Sequence, residues 1–122
     1  MAHTNHWEDH GLYRKFTDVV SGEEILESNF ALHEHPNFAS IRYILNDFSD
    51  ISGHTIDPDH TKVYAATDEI IASTKGKIKI AIVATSADTL ELAYGYKTLM
   101  DNNTFDCEVY ENLQHARDWV KE

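Results

Sequence analysis

The sequence predicts an α/β domain with a mixed, mostly parallel five-stranded sheet and four helices. Two apolar runs, residues 41–48 (IRYILNDF) and 77–84 (KIKIAIVA), show almost no alternation of apolar and polar side chains. Strands covered on both faces have this pattern, and such strands are typical of parallel sheets. Segments with helical periodicity separate these runs, as expected of βαβ units. The length of 122 residues suits a single domain, so we expect residues 1–122 to form one.

A β-hairpin and a first helix are predicted for the N-terminal part. Residues 3–8 and 12–20 are short β-like runs separated by a turn that contains a glycine. Ser21 and Glu24 have the spacing of a capping box, so a helix begins here. We expect it to end before Pro36, because the residue that precedes a proline disfavours the helical conformation. The residues on or near its inward face are Ile25, Leu26, Asn29, Phe30, Leu32 and His33.

Two more helices and a second buried strand follow residues 41–48. Asp57 can cap a helix, and Pro58 suits its first position because the N–H that proline lacks would be unpaired there. Residues 77–84 form the second buried strand, and Ser86 is a candidate cap for a helix over residues 87–100. In the helix that begins at Pro58, the residues that recur at helical spacing are Val63, Thr67, Ile70 and Ile71.

The last strand and the last helix have simple patterns. Residues 104–110 place Phe105, Cys107 and Val109 on one side and acidic side chains on the other. This alternation predicts a half-exposed strand at an edge of the sheet. Asn112 can then cap the final helix. Its inward residues are predicted to be Leu113, Ala116, Trp119 and Val120.

The composition disfavours several classes of function. With 21 acidic and 10 basic residues, the formal net charge of −11 opposes binding to nucleic-acid phosphates and to anionic lipid. Any membrane contact would therefore be hydrophobic. A single cysteine suits a reducing compartment. No apolar run approaches the roughly 20 residues that span a bilayer, and the N-terminus lacks signal-peptide features. We therefore expect a cytoplasmic protein, at most peripheral at the membrane.

Polar and small side chains follow the first buried strand. In parallel sheets, ligands and partners are met at the carboxyl ends of the strands. We expect a loop over residues 49–57 at this edge, and it is the candidate site for a protein partner. The residues that make up this candidate are Asn46, Asp47, Ser49, Asp50, Ser52 and Gly53.

Five short segments, taken together in their order and spacing, suggest a family. They are His6-Trp7-Glu8, Gly11-Leu12-Tyr13, Val20-Ser21-Gly22-Glu23-Glu24, Asn46-Asp47-Phe48 and Lys79-Ile80-Ala81-Ile82-Val83. With the order ββαβαβαβα, the whole chain resembles the SpoIIAA-like fold shared by STAS domains and Sec14/CRAL-TRIO lipid-binding domains. It is most similar to small stand-alone bacterial SpoIIAA-like (STAS/SEC14) proteins.

The resemblance implies two different kinds of site. In anti-sigma-factor antagonists with this fold, a loop carries Asp-Ser-Ser-Gly, and its first serine is phosphorylated. Here the run is Asp50-Ile51-Ser52-Gly53, so Ile51 stands at the acceptor position, which counts against such a switch. Ser49 and Ser52 remain as substitute acceptors. The lipid-binding branch implies instead an apolar cavity between the sheet and movable helices.

The predicted helix over residues 87–100 has more apolar surface than a single core contact needs. A surface helix needs a stripe only a little wider than about 100° to face its core. The surplus must be covered by neighbouring helices, a ligand, a membrane or a second copy of the chain, and the sequence leaves these alternatives open. The apolar arc spans more than half of the helical wheel and consists of Leu90, Leu92, Ala93, Tyr94, Tyr96, Leu99 and Met100.

Evidence for catalysis or metal binding is weak. Residues 33–35 (HEH) and 54–60 (HTIDPDH) contain metal-type ligands, but neither has the spacing of a recognised zinc site. The chain has no Gly-x-Ser-x-Gly elbow and no glycine-rich phosphate loop. Cys107 lies on the apolar side of its strand, where a thiol is usually inert. We therefore predict no catalytic residues, no metal and no cofactor.

The preferred hypothesis is a non-enzymatic binding protein. Its ligand would be a non-polar small molecule or lipid, with transient membrane-surface association through a movable helical lid. The alternative is a STAS-type regulatory protein–protein interaction module that acts through the 49–57 loop. A homodimer is compatible with both. The candidate ligand- or membrane-binding residues are Val63, Tyr64, Thr67, Ile71, Leu92, Tyr96, Leu99 and Met100.

Overall fold

The computed structural model describes residues 3–75, 78–100 and 106–122, apart from the side chains of residues 33 and 69–75. Within these ranges the chain forms one five-stranded sheet and four α-helices, which confirms the predicted ββαβαβαβα order. A short 3₁₀ helix, Pro36–Ser40, precedes the third strand. The elements are β1 (His3–Trp7), β2 (Gly11–Ser21), α1 (Gly22–Glu34), β3 (Tyr43–Thr55), α2 (Pro58–Lys75), β4 (Lys79–Val83), α3 (Ala87–Met100), β5 (Asp106–Tyr110) and α4 (Leu113–Val120).

The sheet is mixed and mostly parallel, as predicted. Its strands lie in the order β1-β2-β3-β4-β5. β1 is antiparallel to β2, and every other neighbouring pair is parallel. β5 lies at an edge, which agrees with its alternating pattern. The α/β class is therefore confirmed.

The sheet separates two apolar clusters, because successive side chains of a strand point to opposite faces. Ile44, Ile80 and Ile82 face the cluster that α1, α2 and α3 cover. Leu45 and Val83 face the opposite cluster, which α4 covers. Since β3 and β4 are covered on both faces, their sequences are apolar almost without alternation.

The starts of the four helices agree with their predicted caps. In each case the side-chain oxygen of the cap accepts a hydrogen bond from the backbone N–H three residues later, at distances between 3.0 and 3.2 Å. These contacts are local in sequence, which explains why they are predictable. The capping residues are Ser21, Asp57, Ser86 and Asn112.

β3 is longer than the sequence predicts. It continues to Thr55, so the prediction of a loop over residues 49–57 is wrong for residues 49–55. This part of β3 pairs in parallel with the second half of β2, where Asp50 lies opposite Thr17. The 11-residue β2 supplies backbone partners far along the chain, and such pairing overrides weak local propensity.

Other inward-face predictions have mixed outcomes. Ile25 and Leu32 of α1 are buried, but Phe30 is 53% exposed, so its predicted inward position is wrong. Asn29 is buried, as predicted, and the buried stripe of α1 also includes the polar residue Ser28. The predictions for His33, Phe105 and the side chains of Ile70 and Ile71 lie outside the described residues.

Candidate functional site

A partly enclosed cavity of about 80 Å³ lies between the sheet and helices α1, α2 and α3. One water molecule needs roughly 10–15 Å³ on this measure, so the space would hold several waters or a small organic group. Most of its wall is apolar, because the inward side chains of β3 and β4 meet those of the helices. The apolar lining consists of Ile25, Leu32, Ile44, Phe48, Ile56, Ile80, Ile82, Leu92 and Ala93.

Arg14 is the main polar feature of the cavity and is only 4% exposed. Its Nε donates a hydrogen bond to Oδ1 of Asn46 at 2.8 Å. Its Nη1 donates to Oγ of Ser28 at 3.0 Å and to Oδ1 of Asn29 at 2.7 Å. Burial lowers the pKa of Arg14 to about 10, against the opposing effect of the Asp68 charge, so the guanidinium stays charged at neutral pH.

Asp68 of α2 is the carboxylate in the cavity lining. It accepts a hydrogen bond from the hydroxyl of Tyr96 on α3, which links the two helices across the cavity. Burial raises the pKa of Asp68 to about 6, although the Tyr96 hydrogen bond and the Arg14 charge both act to lower it. Burial, together with the adjacent Asp68 charge, also raises the pKa of Tyr96 well above its ordinary value.

Tyr64 attaches α2 to the start of α1. Its hydroxyl donates to the carbonyl oxygen of Gly22 at 2.5 Å, and its ring lines the cavity. The carbonyl group of Gly22 belongs to the first turn of the helix that Ser21 caps. The three helices over the cavity are therefore joined by two tyrosine hydroxyls, one between α2 and α1 and one between α3 and α2.

The structure brings together part of the predicted ligand-binding set. Tyr64, Leu92 and Tyr96 line the cavity. Val63 and Leu99 are exposed instead, at 46% and 43%. Thr67 is half-buried, Met100 is buried in the core, and the side chain of Ile71 lies outside the described residues.

The residues proposed for a partner loop do not converge on one surface. Asn46 and Asp47 point to opposite faces of the sheet. Asn46 binds Arg14, while Asp47 accepts hydrogen bonds from Tyr13 and Ser49. Asp50 forms an exposed ion pair with Lys15 at 2.7 Å.

Ser52 of the same predicted set is exposed, and Gly53 is half-buried. Both lie in β3 rather than in a loop. The alternative hypothesis of a regulatory module stays a prediction. Most of the segment on which it depends, residues 49–55, is part of β3 and not a loop.

Sequence reasoning missed Arg14, Asn29 and Asp68 as site residues. A signal for Arg14 was present, because Leu12, Arg14 and Phe16 alternate with period two along β2. Leu12 and Phe16 are fully buried, so the residue between them has to face the same interior. A charged side chain on such a face is costly unless other groups pair with it or form hydrogen bonds to it, so its presence points to a polar site in the interior.

No metal centre is found among the described residues, since they contain no group of three or more histidine, cysteine, aspartate or glutamate side chains that could hold an ion. His60, from one predicted cluster, accepts from the backbone N–H of Asp57 at 3.1 Å and lies near Glu23. Among the described helices, none is both long and apolar enough to cross a bilayer.

Comparison with known proteins supports the fold. No family model and no curated protein matches the chain. The chain is similar to a solved structure of an uncharacterised protein from the DUF3478 family, with a SpoIIAA-like fold, from Shewanella loihica PV-4. The TM-score is 0.55 at 17% identity, over 98% of this chain and 92% of that chain. The SpoIIAA-like fold is thereby confirmed, whereas membership of the STAS/SEC14 proteins stays a prediction.

Proposed function

We propose that this protein is a non-enzymatic binding protein that holds a non-polar small molecule or lipid chain in the cavity beneath α1, α2 and α3. The observation that carries the proposal is the cavity itself, with its largely apolar wall. Protein interiors are packed about as densely as organic crystals and contain few voids larger than a water molecule. A space of about 80 Å³ in this position is therefore a candidate ligand site.

Apolar burial supplies enough free energy for useful affinity. Covering one apolar group of the size of a leucine side chain contributes roughly 1.5–3 kcal/mol. Several such contacts, after the costs of association, support a dissociation constant near the micromolar range, about −8 kcal/mol. Leu92, Ile44 and Ile82 are wall residues that would provide such contacts.

α3 is the candidate movable lid. It lines the cavity with Leu92, Ala93 and Tyr96, and the Tyr96–Asp68 hydrogen bond attaches it to α2. A typical hydrogen bond contributes a net 0.5–1.5 kcal/mol or so, and roughly twice that when one partner is charged. Opening α3 would break the Tyr96–Asp68 hydrogen bond. The burial of a ligand longer than the present cavity would offset the free energy lost with that bond, so α3 can open for such a ligand.

Transient membrane contact belongs to the same proposal. Val63 of α2 and Leu99 of α3 are exposed apolar side chains on the two helices next to the cavity. The net charge of −11 disfavours attraction to anionic lipid, so contact of this kind would depend on such side chains.

Titration with 1-octanol tests the proposal, because this alcohol is apolar along most of its length and carries no charge. We expect saturable ¹H–¹⁵N chemical-shift changes at residues that line the cavity. The variant Leu92→Trp fills the cavity and should weaken octanol binding at least about tenfold, a loss of about 1.4 kcal/mol. Leu99→Trp, on the exposed side of the same helix, is the matched control and should bind octanol as the wild type does.

A thermal melt of each variant separates loss of binding from loss of fold. Octanol shifts that do not saturate, or that are equal in the Leu92→Trp and Leu99→Trp variants, would contradict the proposed site.

A further inference from the structure

The cavity contains hydrogen-bond donors that lack protein acceptors. The Oδ1 atoms of Asn29 and Asn46 both accept from Arg14, so each amide has its Nδ2 left to donate. Arg14 itself uses Nε and Nη1. Among the described residues, no hydrogen-bond acceptor is found for Nη2 of Arg14 or for either Nδ2. All three side chains line the cavity, and Arg14 and Asn29 are more than nine-tenths buried.

The charge of Arg14 also lacks a close counter-charge. No carboxylate of the described residues forms an ion pair with the guanidinium, whose hydrogen-bond partners are all neutral. Asp68 acts on it only through space, and its own carboxylate accepts from Tyr96. Burial of a cation without a paired anion is costly, so an anion in the cavity would be stabilised.

We propose that the ligand is an amphipathic carboxylate, with its apolar part against the isoleucine and leucine wall and its carboxylate at Arg14, Asn29 and Asn46. This inference rests on the proposed ligand-binding function and names the chemical class of the ligand. A carboxylate has two acceptor oxygens with about four lone-pair sites, which suit one guanidinium nitrogen and two amide nitrogens. A doubly charged phosphate suits the site less well, because the cavity lining includes one cation and the carboxylate of Asp68.

Asp68 gives the binding a defined pH dependence. The groups that affect the pKa of Asp68 are Arg14 from β2 and Tyr96 from α3. Tyr64 is on α2, the same helix as Asp68, and affects the pKa of Arg14. A bound carboxylate adds a second negative charge, so binding is stronger when Asp68 is protonated. Because burial raises the pKa of Asp68 to about 6, affinity for the carboxylate should rise as pH falls from about 8 towards 5.5. The carboxyl of the ligand stays ionised there, since an ordinary carboxyl has a pKa of about 4.3.

The test compares octanoate with 1-octanol, which share an eight-carbon chain and differ in the charge of the head group. In the wild type we expect octanoate to bind at least about tenfold more tightly at pH 7, which corresponds to about 1.4 kcal/mol. Arg14→Met should abolish this preference while octanol binding remains. Arg42→Met, which changes an exposed arginine, is the matched control and should keep the preference.

The outcomes distinguish this inference from the function on which it rests. Equal binding of the two ligands by the wild type would overturn the carboxylate assignment and leave the apolar site intact. Absence of saturable binding for both would overturn the proposed function itself. A preference for octanoate that survives Arg14→Met would also overturn the assignment. If Arg14→Met does not fold, the proposal is decided by the wild-type comparison of octanoate with octanol and by its pH dependence. An affinity for octanoate that stays constant or decreases as pH is lowered from 8 counts against the proposal.

Discussion

Arg14 and Asp68 lie on two elements that face each other across the cavity, and their charges are complementary without direct contact. Burial lowers the pKa of Arg14 and raises the pKa of Asp68, so it disfavours the charged form of both. Arg14 is buried and Asp68 is half-buried, and neither has a counter-ion at ion-pair distance among the described residues. A domain that needed only stability would be expected to fill these positions with apolar side chains.

The raised pKa of Asp68 predicts how stability changes with pH. The folded state holds the proton of Asp68 up to about pH 6, whereas the unfolded state releases it near 3.8. Between these values the folded state binds more protons, so the contribution of Asp68 to stability falls as pH rises. As pH rises from about 4 to about 6, the melting temperature of the wild type should therefore fall relative to that of the Asp68→Asn variant.

Thermal melts over this pH range, with Asp59→Asn as the control for an exposed carboxylate on the same helix, check this prediction. Parallel curves for the wild type and Asp68→Asn would mean that the pKa of Asp68 is not raised in the folded protein.

At the scale of elements, the sequence predicted what depends on local contacts. The helix caps at Ser21, Asp57, Ser86 and Asn112 satisfy backbone N–H groups three residues away, and these short patterns can be recognised in a single sequence. The second half of β3 depends on pairing with a strand more than 30 residues earlier in the chain, so its polar sequence gave no such signal. The polar half of the site was missed for a similar reason, since Arg14, Asn29 and Asp68 meet only in three dimensions.

The extended β3 predicts a specific pattern of amide hydrogen exchange. Residues 50–55 of β3 pair in parallel with β2, with a break in register at Ser52, so the amides that donate to β2 should exchange slowly and the others faster. Amides of a solvated loop would exchange quickly and without alternation. Exchange followed by NMR distinguishes the two.

For the whole molecule, the position of the cavity couples ligand binding to global stability. Its wall combines β2, β3 and β4 with α1, α2 and α3, so the site exists only when the sheet and the three helices are assembled. A ligand that binds the folded state alone stabilises it according to its concentration and dissociation constant. The surplus apolar arc of α3 predicted that an apolar surface would need a cover. Where the cavity lies could not be predicted, because that depends on how α1 and α2 pack.

The final prediction is a thermal shift on this basis. Octanoate at about 100 times its dissociation constant should add about 2.7 kcal/mol to the free energy of unfolding. For a domain of this size, that corresponds to an increase in melting temperature of roughly 10 °C, measured by circular dichroism at both far- and near-ultraviolet wavelengths. The two signals should shift together, because the ligand touches both the sheet and the helices. A shift confined to one signal, or the same shift in the Leu92→Trp variant, would mean that octanoate stabilises the protein from somewhere other than this cavity.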